Sequence, residues 1–463
     1  SQPSSSVEFI ARACGGELAT ASPAAIQVCR VCTDSRRVQA GDLFVALVGD
    51  RFDGHDFLEE ARRKGASVLM VEKAKAPPSF AAPAIIRVDD TRLGLGRLGA
   101  RYRREFEIPV VAVGGSNGKT TSKELVAAVL RRKMPTLSSE ASFNNDIGVP
   151  LTLLNLERTH QAAVLEVGTN HPGELAPLVR MIQPRYGVIT GLGREHMEFF
   201  ADMAGVTEEE GWLAELLPAE GKLFVNQSGC GPFMDRLCRR STAPVIKVGN
   251  GRETQWRASG VKLDEGGTSF RVEAPLEDFS GPYRINLLGR HQVVNALLAV
   301  AVGAELGLSP GEIRAGLESC SPLKMRLEPC LARGIRILND AYNANADSVA
   351  AALETLHDLP CAGRRVAVLG DMAEQGHYSV EAHAEVGRRA AESRIDALIA
   401  VGNMAETIGE AARAAGLGQV FEFGEIGAAA GMLRDYLKAG DLVLLKASRA
   451  ARLEGLAERL RKD

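Results

Sequence analysis

VVAVGGSNGKTTSKEL, residues 110–125, joins an apolar run to a glycine-bearing turn, a Gly-Lys-Thr triplet and a helix-forming tail. Val110 to Val113, closed by glycine, reads as a buried strand. Past the turn, Leu125, Val126, Val129 and Leu130 fall on one helical face. Strand, turn and helix in this order suit phosphate binding. Glycines let backbone N–H groups close on the anion, and the helix N-terminus adds positive potential. Lys119 can reach the terminal phosphate oxygens and Thr120 can ligate Mg²⁺. The match is to the shorter form GSNGKT, Gly115–Thr120, because Val113 stands where the longer motif has its first glycine. A Gly-rich turn with a solvent-facing lysine is the competing reading, and it suits the strand–turn–helix context less well.

Working outward, strand-like runs recur at AAVLEVG (162–168), YGVITGLG (186–193), GKLFVNQ (221–227) and APVIKVG (243–249), separated by helix-length segments. This is the pattern of a parallel sheet covered by helices. WRASGVKLDEGGTSFRVEAP (256–275) alternates like antiparallel strands, and HQVVNALLAVAVGAELG (291–307) reads as an amphipathic helix ended by Gly307. Upstream, GDLFVALVG, ASVLMVE and PAIIRVDD alternate with helical patterns such as HDFLEEARRKG. Downstream of a Pro-bearing linker, SCSPLKMR, come GIRILNDAYNANADS, RRVAVLGDM, IDALIAVG and GDLVLLKAS. The expected fold is α/β in three domains. Residues 1–107 form a small mixed α/β domain, 108–320 a central ATPase-type parallel sheet with helices on both faces, and 321–463 a Rossmann-like doubly wound domain.

At 463 residues the chain is too long for one hydrophobic core. Hydrophobic residues at 45% and charged residues at 24% match a globular protein, and a net charge of −3 gives no sign of a nucleic-acid binder. Its apolar runs are too short to span a bilayer, and SQPSSSVEFIARACGG lacks a signal-peptide core, so no membrane insertion and a cytoplasmic location are expected. The 8 cysteines read as reduced thiols, since Cys29 and Cys32 have no second pair nearby to complete a zinc site. Further Mg²⁺ candidates lie at the carboxyl ends of the next strands, where ligands collect in open α/β sheets: Glu166 in VLEVGTN and His196 in GREHMEFF. Taken singly, each is also compatible with a surface or strand-end hydrogen-bonding role.

Taken in order, GSNGKTT, SFNNDIGVPLTLL, LEVGTNHPGEL, HMEFF, GRHQVVNALLAVA, MRLE, NDAYNANADS, VLGDMAEQG and LLKASR resemble the ATP-dependent Mur ligases of peptidoglycan synthesis. TDSRRVQAGDLFVALVGDRFDGHDF is similar to their substrate domain, so the resemblance covers almost the whole chain. DAYNANADS and LGDMAEQG fit the member that adds D-alanyl-D-alanine, and the DNPR motif of the sister ligase that adds the third amino acid is absent.

The resemblance implies a UDP-sugar domain, a central ATPase domain and a C-terminal domain that closes over ATP. It also implies a reaction with ATP and Mg²⁺. The terminal carboxylate of UDP-N-acetylmuramoyl-tripeptide takes the γ-phosphate, and the amine of D-alanyl-D-alanine then displaces phosphate to give the pentapeptide. A monomer acting on small molecules is expected. Alternatives are an amino-acid ligase of the same fold and a non-catalytic nucleotide-binding relative.

By the same resemblance, Gly114, Gly115, Ser116, Asn117, Gly118, Lys119, Thr120 and Thr121 hold the phosphates, and Thr120, Glu166 and His196 serve the metal. Asn295 is placed at the adenine, while Arg326, Asp340, Asn343 and Asn345 face the nucleotide from the third domain. Thr33, Asp34, Ser35 and Arg36 line the uridine diphosphate site, with Asn144 and Asn145 on the substrate side of the central cleft. Lys446, Ser448 and Arg449 are closure or substrate contacts. Read from residue type alone, Asn343 and Asn345 also suit a turn, Asn295 a satisfied helical position, and KASR a helix-start region.

One departure matters. Most family members have, downstream of the metal-binding histidine, a lysine carbamylated by CO₂ that supports a second Mg²⁺; Glu210 occupies that position here. A native carboxylate supplies the charge without CO₂ but is shorter, so a bridging water or shifted helix is expected. The competing reading makes the Glu208–Glu210 run a solvated helix start. Gly114 for Thr, Ala346 for Pro and Ala447 for Gly are smaller departures, and none removes a charge.

Overall fold

Val68–Glu72 is the middle strand of a five-stranded sheet in the computed structural model, which describes residues 6–19, 26–75, 84–228 and 231–462. The strand order is Glu17–Ala19, Ile85–Val88, Val68–Glu72, Asp42–Val45, Arg30–Cys32; the first pair is antiparallel and the rest are parallel. Period-two alternation sends Leu43, Val45, Val68 and Met70 to one core, and Phe44, Leu69 and Val71 to another on the opposite face. Burial on both faces explains why these strands read as unbroken apolar runs. The helix Thr91–Arg103 covers one face with Leu95 and Leu98, and its first turn is capped by Asp90, which accepts from the N–H groups of Arg92 and Leu93.

This sheet belongs to the first of two compact units, which comprises Ser1–Ala112, Pro135–Thr169 and Leu175–Arg185. The same unit holds the strand Ala162–Glu166, paired in parallel with Thr136–Ser138. Buried Arg103 uses its guanidinium to satisfy the carbonyls of Ile182 (2.7 Å), Phe106 (2.8 Å) and Gln183 (3.1 Å).

The second unit comprises Val113–Met134, Asn170–Glu174 and Tyr186–Asp463. Tyr186–Ile189, Lys222–Asn226, Val245–Gly249 and the start of Trp256–Asp264 run parallel; Trp256–Asp264, Gly267–Glu273 and Gly281–Ile285 follow as an antiparallel meander. The helix Lys119–Leu130 buries Leu125, Val126, Val129 and Leu130 completely. Each contributes roughly 1.5–3 kcal/mol of transfer free energy, so the predicted apolar face anchors the turn before it.

A six-stranded sheet occupies the C-terminal part, in the order Glu328–Ala332, Ile335–Asp340, Leu442–Lys446, Arg365–Leu369, Ala397–Val401, Val420–Phe423. Only the first pair is antiparallel. Helices Ala346–Asp358, Ser379–Glu392 and Ala405–Ala414 pack on one face; Ile426–Tyr436 and Glu454–Arg461 pack on the other. The strands expected from RRVAVLGDM, IDALIAVG and GDLVLLKAS are all present in this doubly wound arrangement. Among the described residues no helix is long and apolar enough to cross a membrane. The described cysteines are free thiols, Cys29 and Cys32 included; Cys230 lies outside the described residues.

Candidate functional site

The strand Val110–Gly114 delivers the chain into a turn that only glycine can make. Gly115 has φ 117°, and a Cβ there would lie 2.4 Å from Thr190 Oγ1 and 2.8 Å from Thr190 N. Gly118, φ 82°, caps the helix Lys119–Leu130 and lies against the Asn295 amide. The loop after the strand Tyr186–Ile189 stitches the turn in place. Thr190 N–H donates to the Gly114 carbonyl (3.0 Å), and its hydroxyl donates to the carbonyl of Asn117 (2.5 Å). Ser116 N–H donates to the Gly191 carbonyl (3.0 Å), while Ser116 Oγ accepts from Gly193 N–H (2.9 Å). Thr120 and Thr121 are buried at the start of the helix. Asn295 lies beneath this turn, accepting from Ser122 Oγ at 3.0 Å and donating to Gln292 Oε1 at 2.9 Å.

Glu210 sits in the middle of the helix Met203–Glu215 and points inward, with 4% exposure. Its Oε2 accepts the Gly115 N–H at 3.0 Å. Burial, chiefly, pushes its carboxyl up to about 7; nearby Lys119 opposes the shift and Glu195 adds to it. The acidic run is therefore not a solvated helix start. Only Glu208 faces water, and buried Glu209 accepts the Gly173 N–H at 3.0 Å.

Lys119 Nζ lies 3.5 Å from Glu195 Oε1, and the same oxygen is 2.9 Å from His196 Nε2. The other ring nitrogen, Nδ1, pairs with Glu374. His196 is thus held at both nitrogens by carboxylates, on a left-handed backbone (φ 49°). Burial pulls its pKa down, but the hydrogen bond and charge of Glu195, with Glu374, raise it above the ordinary histidine value. Glu195 escaped the sequence reading; its signal was an acidic residue directly beside the candidate histidine, in GREH.

The C-terminal layer of the same unit closes on this loop. Asn345 caps the helix Ala346–Asp358 and its Nδ2 donates to Asn117 Oδ1 at 2.8 Å. Asp340 pairs with Lys446 (2.8 Å) and accepts the Leu327 N–H (3.1 Å). His291, half-buried, lies near this pair, and desolvation pushes its imidazole down to about 4. The Arg326 and Arg449 guanidinium groups lie 4.2 and 5.7 Å from the centre of the Tyr342 ring. Ser448 Oγ accepts from Ala373 N–H at 2.7 Å, whereas Asn343 stays at the surface. Asn226, Ser228, His291, Asp347 and Arg389 help to line a cavity of about 1010 Å³. That volume stands at the upper end of the range usual for small-molecule sites.

In the first unit, Asp34 caps a short turn, Ser35–Arg37, and pairs with Arg36 at 2.9 Å. Thr33 precedes it half-buried, and buried Ser35 donates to Glu60 Oε2 at 3.1 Å. Asn144 Nδ2 donates to Glu166 Oε1 at 3.0 Å, fixing that buried carboxylate at its strand end. Asn145 spends its side-chain oxygen locally, accepting from the N–H groups of Ile147 (3.1 Å) and Gly148 (2.8 Å) at the start of the helix Gly148–Leu153.

Three family models match in succession: "Mur ligase family, catalytic domain" over residues 27–103, "Mur ligase middle domain" over 113–303, and "Mur ligase, glutamate ligase domain" over 325–449. The UDP-N-acetylmuramoyl-tripeptide–D-alanyl-D-alanine ligase of Escherichia coli is 38% identical over 396 residues, 84% of each chain. A crystal structure of MurF from Acinetobacter baumannii superposes with a TM-score of 0.90 at 30% identity, covering 99% of both chains. The MurF ligase of Thermotoga maritima in complex with ADP superposes with a TM-score of 0.83 at 27% identity, covering 94% of this chain and 97% of that one. These likenesses run through all three α/β domains and include the strand–turn–helix that carries Lys119. On fold, sequence and the order of its motifs, the chain belongs to the Mur ligase family.

Proposed function

We propose that this chain is the ATP-dependent ligase that joins D-alanyl-D-alanine to UDP-N-acetylmuramoyl-tripeptide, releasing ADP and phosphate and giving the pentapeptide precursor of peptidoglycan. The observation that carries this reading is the glycine turn before Lys119, whose Gly115 N–H donates to a carboxyl oxygen of Glu210 as it would to a phosphate oxygen. Residues 1–107 would take the UDP-sugar, 108–320 the ATP phosphates, and 321–463 the rest of the nucleotide.

Phosphorylating a carboxylate brings two anions together, so the protein's task is positioning and charge neutralisation. A carboxylate oxygen of the tripeptide attacks the γ-phosphorus, the bond to the ADP oxygen breaks, and an acyl phosphate forms. The amine of D-alanyl-D-alanine then attacks the acyl carbon, loses a proton and expels inorganic phosphate. Lys119 supplies a fixed ammonium, and the N–H of Gly115 passes from Glu210 to a phosphate oxygen. Buried oxygen donors suit Mg²⁺, and within the second unit Thr120 and Glu210 are those we assign to it. Glu166, held by Asn144, keeps the metal role that its motif implies. His196, with both ring nitrogens engaged, must release one before it can ligate. Bound Mg²⁺ would neutralise phosphate charge. Among the described residues no three His, Cys, Asp or Glu groups form a ready-made cage, and Mg²⁺, which keeps waters and phosphate oxygens as ligands, does not require one.

The test is ADP release from ATP and UDP-N-acetylmuramoyl-tripeptide. Release that requires D-alanyl-D-alanine supports the proposal, and release driven by a free amino acid assigns the chain to a sister ligase instead.

A further inference from the structure

Arg194 stands next to Glu195, whose carboxylate pairs with Lys119, and has no part in the phosphoryl-transfer chemistry itself. Its backbone N–H donates to Asp347 Oδ2 at 2.6 Å, and its guanidinium reaches Asp347 Oδ1 at 3.0 Å. The same guanidinium takes both oxygens of Glu385, at 2.5 and 2.9 Å. Asp347 lies in the first turn of the helix Ala346–Asp358, and Glu385 on the helix Ser379–Glu392. One side chain therefore ties two helices of the C-terminal layer to the loop carrying Glu195 and His196. Gly193, one residue before, makes the approach possible: a Cβ there would lie 3.1 Å from Asp347 Oδ2 and 3.2 Å from Asn117 Nδ2.

The start of the helix Ala346–Asp358 thus grips the site twice, through its cap Asn345 on Asn117 of the phosphate turn and through Asp347 on Arg194 of the neighbouring loop. A lone exposed ion pair would contribute little. This one is bidentate to two carboxylates and half-buried, and it is continued along the chain by the Glu195–Lys119 contact.

We propose that Arg194 is a positioning residue for nucleotide binding: by clamping Asp347 and Glu385 it holds the Glu195–His196 loop, and through it Lys119, in the arrangement that receives phosphate. The inference rests on the nucleotide-binding reading above. Without Arg194, two carboxylates lose their shared cation and the receptive arrangement is populated less. The apparent dissociation constant then rises by the inverse of that population.

The experiment is calorimetric titration of ADP with Mg²⁺ into the full-length protein and into Arg194→Ala, Glu385→Ala and the double variant. Melting temperature serves as the control for folding. Arg194→Ala is expected to weaken ADP about tenfold, Glu385→Ala to weaken it less, and the double variant to bind no worse than Arg194→Ala, because both act through one contact. With ATP, the KM should rise more than kcat falls, a split that a general loss of folded protein does not produce. Arg194→Lys should recover part of the affinity. An ADP affinity unchanged in Arg194→Ala, or strictly additive effects of the two substitutions, overturns the proposal while nucleotide binding by the unaltered protein stands. No ADP binding by the unaltered protein overturns both readings. If Arg194→Ala does not fold, Glu385→Gln carries the test, and an unchanged affinity there is equally fatal.

Discussion

The Gly115 N–H donates to Glu210 Oε2 at 3.0 Å, so a buried carboxyl group sits against the phosphate turn. That contact has a stability consequence with a definite sign. The Glu210 carboxyl is pushed up to about 7 from 4.5, so the folded state binds this proton more tightly than the unfolded chain. Its contribution is fully present below pH 4.5 and is lost as pH rises through 7. The loss is on the order of 3 kcal/mol by pH 8 for a group this deeply buried. Glu210→Gln keeps the shape and an acceptor for the N–H but cannot ionise. Urea unfolding of the ligand-free variant should show a flatter decline between pH 5 and 8 and higher stability at pH 8 than the parent. Parallel pH curves for the two proteins would contradict the assignment.

The same residue predicts indifference to CO₂. If Glu210 takes the place of the carbamylated lysine typical of the family, ligase turnover in CO₂-depleted buffer should equal turnover with added bicarbonate. Glu210→Ala should lose about 10²-fold in kcat, the scale on which one charge-stabilising group usually acts. The helix Met203–Glu215 already brings the shorter side chain to the phosphate turn, so no carbamate is needed to extend it. Strong stimulation of the unaltered enzyme by bicarbonate would sink the idea.

Lys119 carries the sharpest prediction for activity. Its side chain is 11% exposed and faces Glu195, on a helix anchored by a fully buried apolar face. Removing it should leave folding nearly intact and reduce ADP formation by about 10³-fold or more. Melting temperature and ADP release measured on Lys119→Ala decide this, and a variant with normal turnover would remove the mechanism.

Which of these features could be read in advance follows from how local they are. The strand Val110–Gly114 and the helix Lys119–Leu130 were legible because apolar spacing and glycine placement act within a few residues. So were the parallel strands of the C-terminal sheet, each an unbroken apolar run. The bridge from Lys119 through Glu195 to His196 was not, because it forms only when the loop after the strand Tyr186–Ile189, remote in sequence, folds against the phosphate turn. Arg194 was hidden for the same reason, since its partners Asp347 and Glu385 are remote in sequence. Local hydrogen bonds add what residue type leaves open. Asn145, which the family resemblance places in the cleft, uses its side-chain oxygen at a helix start. Asn295 has its whole amide engaged beneath Gly118. The acidic run looked solvated by composition, and only helix phase shows that Glu209 and Glu210 turn inward.

Gly115 is the position at which backbone geometry and function are least separable. At φ 117° an alanine is strained, and its Cβ would meet both the hydroxyl and the backbone nitrogen of Thr190. Relief requires the turn to move away from Thr190, whose hydroxyl and N–H are bonded to the turn's own carbonyls. Gly115→Ala should therefore cost about 2 kcal/mol or more in unfolding free energy. It should also weaken ADP by at least about tenfold, because the displaced N–H no longer points at the anion. Adding Thr190→Ala removes the 2.4 Å hydroxyl clash but not the 2.8 Å clash with the nitrogen, so the pair should regain some stability and little ADP affinity. Urea unfolding and ADP titration on the same preparations separate the two effects. Full recovery of ADP binding in the double variant would show that the hydroxyl alone, and not the left-handed turn, dictates glycine at this position.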